Sequence, residues 1–443
     1  MQDADAAVSE AAAKPDTLLA AAREGARLVR EAADLHFSLR LWDGSVEPLG
    51  AAPVPGLMVS VARRGVLPSI LRRPTLDRLI RHYALGDIDV EGGSLLDIGR
   101  PFALDNAKRK ALRRIEKGKL LRLAAPFLFA KAEPPRESRR FADDATGEKR
   151  NNKDFIQFHY DVGNEFYELF LDPEMQYSCA YFPEGVETLE DAQIAKLDMI
   201  CRKLRLKRGE RMLDIGCGWG GLLAHAVSHY GVIGHGVTLS EEQLAFAKAK
   251  MERLGVADRV TLELRDYQDL GGRFDKIASI GMYEHIGLKN IDGYFKKARA
   301  LLADDGLFLN HAISRGAKKK QTRFSKRPEQ RALQRYIFPG GELDDIGHTV
   351  AAMERAGFEV HDVEGWRENY QRTLMIWSER LTARRAEAEA LVGAATYRIW
   401  AAYLAGCAMA FERGSARIFQ TLVSRSPKGA SPAPRSRADL YSA

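Results

Sequence analysis

The sequence predicts an α/β protein, built as a mostly parallel sheet with helices on both faces and preceded by a smaller α+β unit. Three observations carry this. From residue 211 onward short apolar runs alternate with helical stretches, and a glycine-rich turn, Gly216-Cys-Gly218-Trp-Gly220-Gly221, joins the first such run to a helix. A polar, breaker-rich segment at residues 132–153 separates this half from what precedes it. A chain of 443 residues is also too long for a single typical domain, so two domains, or one large domain with an appendage, are expected.

Taken in order, residues 1–17 read as a disordered start, rich in Ala and acids. The N-terminal domain is expected at 18–131, and within it residues 18–104 mix helical stretches with a strand-like alternation, Leu35-His36-Phe37-Ser38-Leu39-Arg40-Leu41, followed by the turn Asp43-Gly44. Residues 132–150 form the expected linker, and the larger domain runs from 151 to 424. Its strands are expected at 211–215, 232–238, 259–264, 274–280, 306–313 and 357–363, with helices between them. A helical insertion at 370–412 and a last strand at 416–423 follow, which makes seven strands. Residues 425–443, rich in Pro, Ser and Arg, read as a disordered tail.

Composition narrows the function classes. Apolar residues make up 45% and charged residues 29%, which excludes a wholly disordered or fibrous chain. The net charge of +7 matters only where it is concentrated. Residues 107–122 hold eight Lys or Arg against one Glu and lead into the apolar stretch Leu123–Ala130. A cationic helix that runs into an apolar patch suits an anionic membrane surface, although a solvated helix and linker would have the same composition. Residues 315–335 hold nine Lys or Arg against one Glu. Phosphate-bearing headgroups are the expected partner there; nucleic acid is the competing polyanion, but no recognised nucleic-acid module accompanies the charge.

Four cysteines without a Cys-x-x-Cys pair argue against a disulfide framework or a zinc site, so no metal is expected and a reducing cytosol fits. The first residues lack the pattern of a secretory signal, and the uncharged run Ile399–Phe411 is too short to cross a bilayer. A cytoplasmic protein, at most peripherally attached to the inner face of the cell membrane, is therefore expected.

The run Arg211-Met-Leu-Asp214-Ile-Gly216-Cys-Gly218-Trp-Gly220-Gly221 lets backbone approach a ligand at the carboxyl end of a strand. It satisfies Gly-x-Gly-x-x-Gly, which by itself serves nicotinamide cofactors and S-adenosylmethionine alike. Two details favour S-adenosylmethionine. Asp214 precedes the glycines, and the second strand ends in Thr238-Leu239-Ser240 where a ribose-binding acid would otherwise stand.

The segment Asn151–Tyr181 (NNKDFIQFHYDVGNEFYELFLDPEMQYSCAY), together with LDIGCGWGG, GVTLSEEQ, GMYEHIG and YIFPGGEL, resembles the cyclopropane-fatty-acyl-phospholipid synthases, including the mycolic acid cyclopropane synthases. The motifs occur in the family's order across residues 151–424. The resemblance implies a Rossmann-like class I methyltransferase fold with a seven-stranded sheet and a closing antiparallel strand. It implies transfer of a methyl group from S-adenosylmethionine to the cis double bond of an unsaturated phospholipid acyl chain, then proton loss and ring closure, with a bound bicarbonate ion as base. The N-terminal region resembles the family's N-terminal domain more loosely, which implies lipid binding or homodimer contact.

Residue by residue, the resemblance implies a bicarbonate site at Cys179, Glu284, His311, Ile313 and Tyr370. It implies a cofactor site with Tyr177 and Ser178 near the methionine end, Asp214, Gly216, Gly218 and Gly220 beneath it, and Thr238 and Gln243 at the ribose. Asp266 and Tyr267 would flank the adenine, and Ile280 and Gly281 would line the path to the acyl chain. By residue type alone, Cys179 and His311 read as core, Tyr370 as a helix cap, Thr238 as a strand residue and Gln243 as a solvated helix position. Glu284 follows a strand, where α/β enzymes place reactive groups. Asn369 stands where the family's commonest form has histidine, and Asn310 beside His311 is another departure. Both border the base, so methylation that stops at a branched or exocyclic-methylene product is the alternative outcome. A lipid-binding paralogue without turnover is the alternative from another class.

Overall fold

The computed structural model describes residues 16–135, 162–317, 331–332, 335–337, 341–425 and 430–441. The chain divides into two units, Met1–Arg136 and Glu137–Ala443. In the first, α1 (Thr17–Ala33) is followed by β1 (Ser38–Arg40), β2 (Val46–Pro48) and β3 (Met58–Val61), then α2 (Val66–Arg72), α3 (Leu76–Ala84) and β4 (Ile88–Glu91). Three helices close it: α4 (Leu95–Leu104), α5 (Asn106–Arg114) and α6 (Lys117–Phe129).

The four strands form one sheet in the order β2-β1-β3-β4, and the Asp43-Gly44 turn joins the antiparallel pair β1–β2. Asp16 and Thr17, expected within the disordered start, belong to the cap and first turn of α1. Asp16 accepts hydrogen bonds from the Leu18 and Leu19 amides and so satisfies two orphan donors at the α1 terminus. The expected cationic helix is two helices, α5 and α6, because Ile115 adopts an extended ψ of 130° between them. Like charges at i,i+4 spacing, such as Lys110 and Arg114, weaken a continuous helix there.

Within this unit Ser69, His82 and Asp87 follow the donor–acceptor order of a hydrolase relay. Ser69 Oγ lies 2.9 Å from His82 Nε2, and His82 Nδ1 lies 2.8 Å from Asp87. Ser69 is fully buried and its oxygen also accepts from Arg78, so the relay ties α2, α3 and β4 together.

The second unit opens with α7 (Asn164–Glu168) and α8 (Leu189–Leu204) and continues as β5 (Arg211–Ile215), α9 (Gly221–His225), a π-helical turn (Ala226–Tyr230), β6 (Ile233–Thr238), α10 (Glu241–Arg253) and β7 (Val260–Leu264). Next come β8 (Phe274–Ile280), α11 (Ile291–Leu301), β9 (Leu302–Arg315), α12 (Ile346–Arg355) and β10 (Phe358–Gly365). The helical insertion is α13 (Arg367–Ala383), α14 (Arg385–Val392) and α15 (Ala394–Glu412), before β11 (Ala416–Arg425) and α16 (Ala438–Tyr441).

Seven strands lie in the order β10-β11-β9-β8-β5-β6-β7. All pairings are parallel except those of β11, which slots antiparallel between β9 and β10. Alternate side chains of β5 face opposite layers: Leu213 and Ile215 join one core cluster, and Met212 the other.

The tail departs from expectation. Leu440 is buried, Arg437 pairs with Asp362 on β10, and Asp439 pairs with Arg205 at the end of α8. One apolar side chain and two opposite-charge contacts dock a segment that its composition alone would leave solvated. Among the described residues no helix is long and apolar enough to cross a membrane. Most of the basic stretch 315–335, all of 151–161 and part of YIFPGGEL lie outside the described residues.

Candidate active site

The glycine turn follows β5 and opens α9, with Gly216, Gly218 and Gly220 all at positive φ (81°, 54° and 79°). Side chains resist that backbone region, so only glycine lets the turn bend this tightly under a ligand. A cavity opens there, at the carboxyl ends of β5, β6 and β8. Its lining includes Tyr177, Ser178, Asp214, Gly216, Gly218, Thr238, Gln243, Asp266, Tyr267, Ile280 and Gly281. Gly220 instead packs behind the turn, where a Cβ would stand 2.9 Å from the Met251 methyl and 3.0 Å from Ala247.

The wall is polar where a nucleoside thioether needs it. Thr238 Oγ1 donates to Gln243 Oε1 at 3.0 Å, and Ser240 caps α10 through the Gln243 amide. Burial pushes the Asp214 carboxyl up to about 7, while the Lys196 ammonium pulls it back. His285, also in the lining, is pushed down to about 4 by burial and is neutral. The Gly-rich cradle, the buried acid and the Thr–Gln pair all suit S-adenosylmethionine.

None of the predicted base residues lines this cavity, but Cys179, Glu284 and His311 are chain or register neighbours of Ser178, His285 and Ile280, which do. His311 on β9 is in register with Ile280 on β8, and the Gly281 amide donates to the His311 carbonyl at 2.8 Å. Glu284 sits on the short turn after β8 and accepts the Ile313 amide through Oε1 at 2.5 Å. Its second oxygen, Oε2, is buried without a hydrogen-bond partner, as is His311 Nε2. Burial pushes Glu284 up to about 7 and His311 well below its ordinary value.

A neutral imidazole carries one N–H. Gln420 on β11 is the register partner of His311 and presents its amide nitrogen to Nδ1 at 3.3 Å, which leaves the proton on Nε2. The site therefore holds an orphan donor at His311 Nε2, which can donate to a small oxyanion, and an orphan carboxyl oxygen at Glu284 Oε2, which can donate to it when protonated or accept from the anion's own hydroxyl; the Gln420 carbonyl oxygen beside them is also without a partner.

Cys179 is fully buried and its thiol is pushed up by burial, so it is a neutral thiol that donates to the Ala180 carbonyl at 3.1 Å. Trp366 links it to the rest. The Trp366 carbonyl lies 3.8 Å from Cys179 Sγ and accepts the Tyr370 amide, and its ring meets that of His311 edge-on at 5.2 Å. Tyr370 is buried one turn later, with its ring 4.7 Å from that of Phe411 on α15. Glu284, Ile313 and His311 thus form one contact group, and Cys179 and Tyr370 join it through Trp366. The Ile313 amide is already taken by Glu284. Asn369, one of the departures, accepts the Phe182 amide at 2.8 Å and pins the Cys179 segment to α13.

Residues 147–421 match the model of the mycolic acid cyclopropane synthetase family. This chain belongs to that family. The "Probable fatty acid methyltransferase" of Pseudomonas putida is 39% identical over 412 residues, 92% of this chain and 97% of its own. The cyclopropane-fatty-acyl-phospholipid synthase of Escherichia coli K12 is 42% identical over 60% of this chain and 66% of its own length. A mycolic acid cyclopropane synthase crystallised with SAH and CTAB superposes with a TM-score of 0.59 at 34% identity, covering 62% of this chain and 99% of that one. As a member of the mycolic acid cyclopropane synthetase family, the protein is an S-adenosylmethionine-dependent methyltransferase.

Reading by motif missed several parts of this family member's site. Trp366, Lys196, Gln176 and Gln193 lie outside the motifs singled out for the site or carry no reactive group. A signal existed for two of them: Gln193 and Lys196 are polar residues on the apolar stripe of α8, beside Ala192, Leu197 and Ile200.

Proposed function

We propose that this methyltransferase alkylates the cis double bond of unsaturated acyl chains in membrane phospholipids and completes a cyclopropane ring. The observation that carries the reading is the two buried orphans, Glu284 Oε2 and His311 Nε2: His311 is the register partner of Ile280, and Glu284 precedes His285, and both Ile280 and His285 line the cofactor cavity. An alkene attacking a sulfonium methyl leaves positive charge on carbon, and ring closure then requires a C–H bond of the new methyl to break. A dry site with a proton acceptor serves that step.

Bound S-adenosylmethionine would supply the electrophilic methyl, and bicarbonate, the oxyanion the site is proposed to hold, would supply the base. The chain's own residues do the holding. Glu284, poised near 7, can accept or keep a proton at Oε2. His311 stays neutral, so it offers an N–H without adding a second positive charge beside a cationic carbon. The Glu284–Ile313 bond fixes the carboxyl plane, and the Trp366 and Tyr370 rings exclude water.

The names of relatives support a lipid substrate: a cyclopropane-fatty-acyl-phospholipid synthase in E. coli and a "Probable fatty acid methyltransferase" in P. putida. The second favours the other reading, methylation without ring closure, because that relative aligns over 92% of this chain. For membrane attachment, α6 exposes Leu121 (68%) and Phe129 (89%) beside the cations of α5 and α6, which supports the N-terminal unit as the lipid-facing part, with dimer contact as its other proposed role.

The deciding experiment incubates purified protein with methyl-labelled S-adenosylmethionine and vesicles of a cis-unsaturated phospholipid. Mass spectrometry then locates the label, and proton NMR separates a ring from a methylene of equal mass. Ring protons support the first reading and a branched chain the second. Label absent from the acyl chain rejects both.

A further inference from the structure

A buried cation that the site motifs do not include lies against the cofactor cavity. Lys196 stands on the inward face of α8, three residues after Gln193, and both side chains are fully buried. An ammonium without partners there would be costly, so its contacts are informative. Its Nζ donates to Gln176 Oε1 at 2.5 Å and to Ser178 Oγ at 3.0 Å. Gln193 Nε2 donates to the carbonyls of the same two residues, at 3.2 and 3.0 Å. Helix α8 thus grips the stretch 176–178 twice, through its backbone and through its side chains.

Lys196, Gln176, Ser178 and Asp214 all line the cofactor cavity. Asp214 lies next to the end of β5, Thr238 ends the neighbouring β6, and Asp266 and Tyr267 follow β7 at the sheet edge. An adenine held by Asp266 and Tyr267 and a ribose at Thr238 would direct the far end of the ligand toward β5. There the cavity offers one carboxylate and one ammonium. Because Ser178 Oγ accepts from Lys196, its own proton is left to donate outward. Such an arrangement complements an α-amino-acid zwitterion, with Asp214 facing the α-ammonium and the Lys196-backed hydroxyl facing the α-carboxylate.

We propose that Lys196 is a positioning residue for the amino-acid end of the cofactor. It holds Gln176 and Ser178 in place and balances Asp214, so that the site distinguishes ligands carrying the zwitterion from those that end at the thioether. This rests on the S-adenosylmethionine reading of the cavity.

The test measures, by calorimetry on the full chain, the affinity of S-adenosylhomocysteine and of 5′-methylthioadenosine, which shares the adenosine thioether and lacks the amino acid. Wild type is expected to prefer the first. Lys196→Met is expected to lose about tenfold or more in affinity for S-adenosylhomocysteine, the scale of a charge-assisted hydrogen bond, while 5′-methylthioadenosine binds as before. Retained binding of the truncated ligand also shows that the variant is folded. If Lys196→Met does not fold, Lys196→Gln, which keeps a donor near Ser178 without the charge, makes the same comparison. Equal loss for both ligands in a cooperatively folded variant, or no loss for either, overturns the proposal. A wild type that binds both ligands equally overturns the zwitterion selectivity, and one that binds neither overturns the cofactor reading beneath it.

Discussion

Replacing Glu284 by Gln separates the energetic burden of this carboxyl from its chemical use. Burial moves it from 4.5 to about 7. The unfolded chain releases this proton above about pH 4.5, whereas the folded protein keeps it until about 7. The stability tied to the protonated form is therefore whole below 4.5 and lost as pH rises through 7. At about 1.4 kcal/mol per pH unit, the full loss is roughly 3 kcal/mol.

Glutamine has no such proton, retains Oε1 for the Ile313 amide, and adds a constant cost for a buried NH2 without a partner. That constant cancels when the two proteins are compared at two pH values. The stability of Glu284→Gln minus that of wild type should therefore rise by about 3 kcal/mol between pH 4.5 and pH 8. Denaturant unfolding at both pH values measures it, and a label-transfer assay on the same preparations should show product formation abolished while S-adenosylhomocysteine still binds. A difference that does not change with pH would refute the burial argument. Intact methyl transfer would refute the assignment of Glu284 to the base site.

Gly220→Ala forces a side chain into φ 79° and against Met251, so it should cost about 2 kcal/mol in unfolding free energy and weaken S-adenosylhomocysteine binding. Gln243→Ala leaves the buried Thr238 hydroxyl without its acceptor; calorimetry should show roughly tenfold weaker cofactor-product binding with the fold retained. Phe129→Ser should lower partitioning onto anionic vesicles, and added salt should release wild type, since the cations of α5 and α6 act within a Debye length of the surface. Partitioning that ignores both salt and Phe129 would exclude this face as the anchor.

How far the sequence reached can be followed through single residues. The strand alternation foretold all seven strands of the large sheet, because apolar runs between glycine turns have few other ways to bury themselves. The glycine turn foretold the cavity, since three positive-φ glycines after a strand leave backbone exposed to a ligand. The tail was misjudged: composition says a segment is polar, but not that Asp362 and Arg205 wait for its charges.

Local pattern indicated which residues become strands and where the cofactor turn lies, because periodicity and glycine conformation act over a few neighbours, whereas the residues expected around that turn came from the family resemblance. Only the tertiary structure decided that Gln420 would sit beside His311 and set its tautomer, that Trp366 would join Cys179, His311 and Tyr370, and that Lys196 would be buried against Ser178. Those contacts join residues up to 187 positions apart, and they depend on β11 entering the sheet antiparallel and on α8 and α13 packing against one loop. Desolvation, which moves Glu284 and Asp214 to about 7, is likewise a property of everything packed around a group and is written nowhere in its own segment of chain.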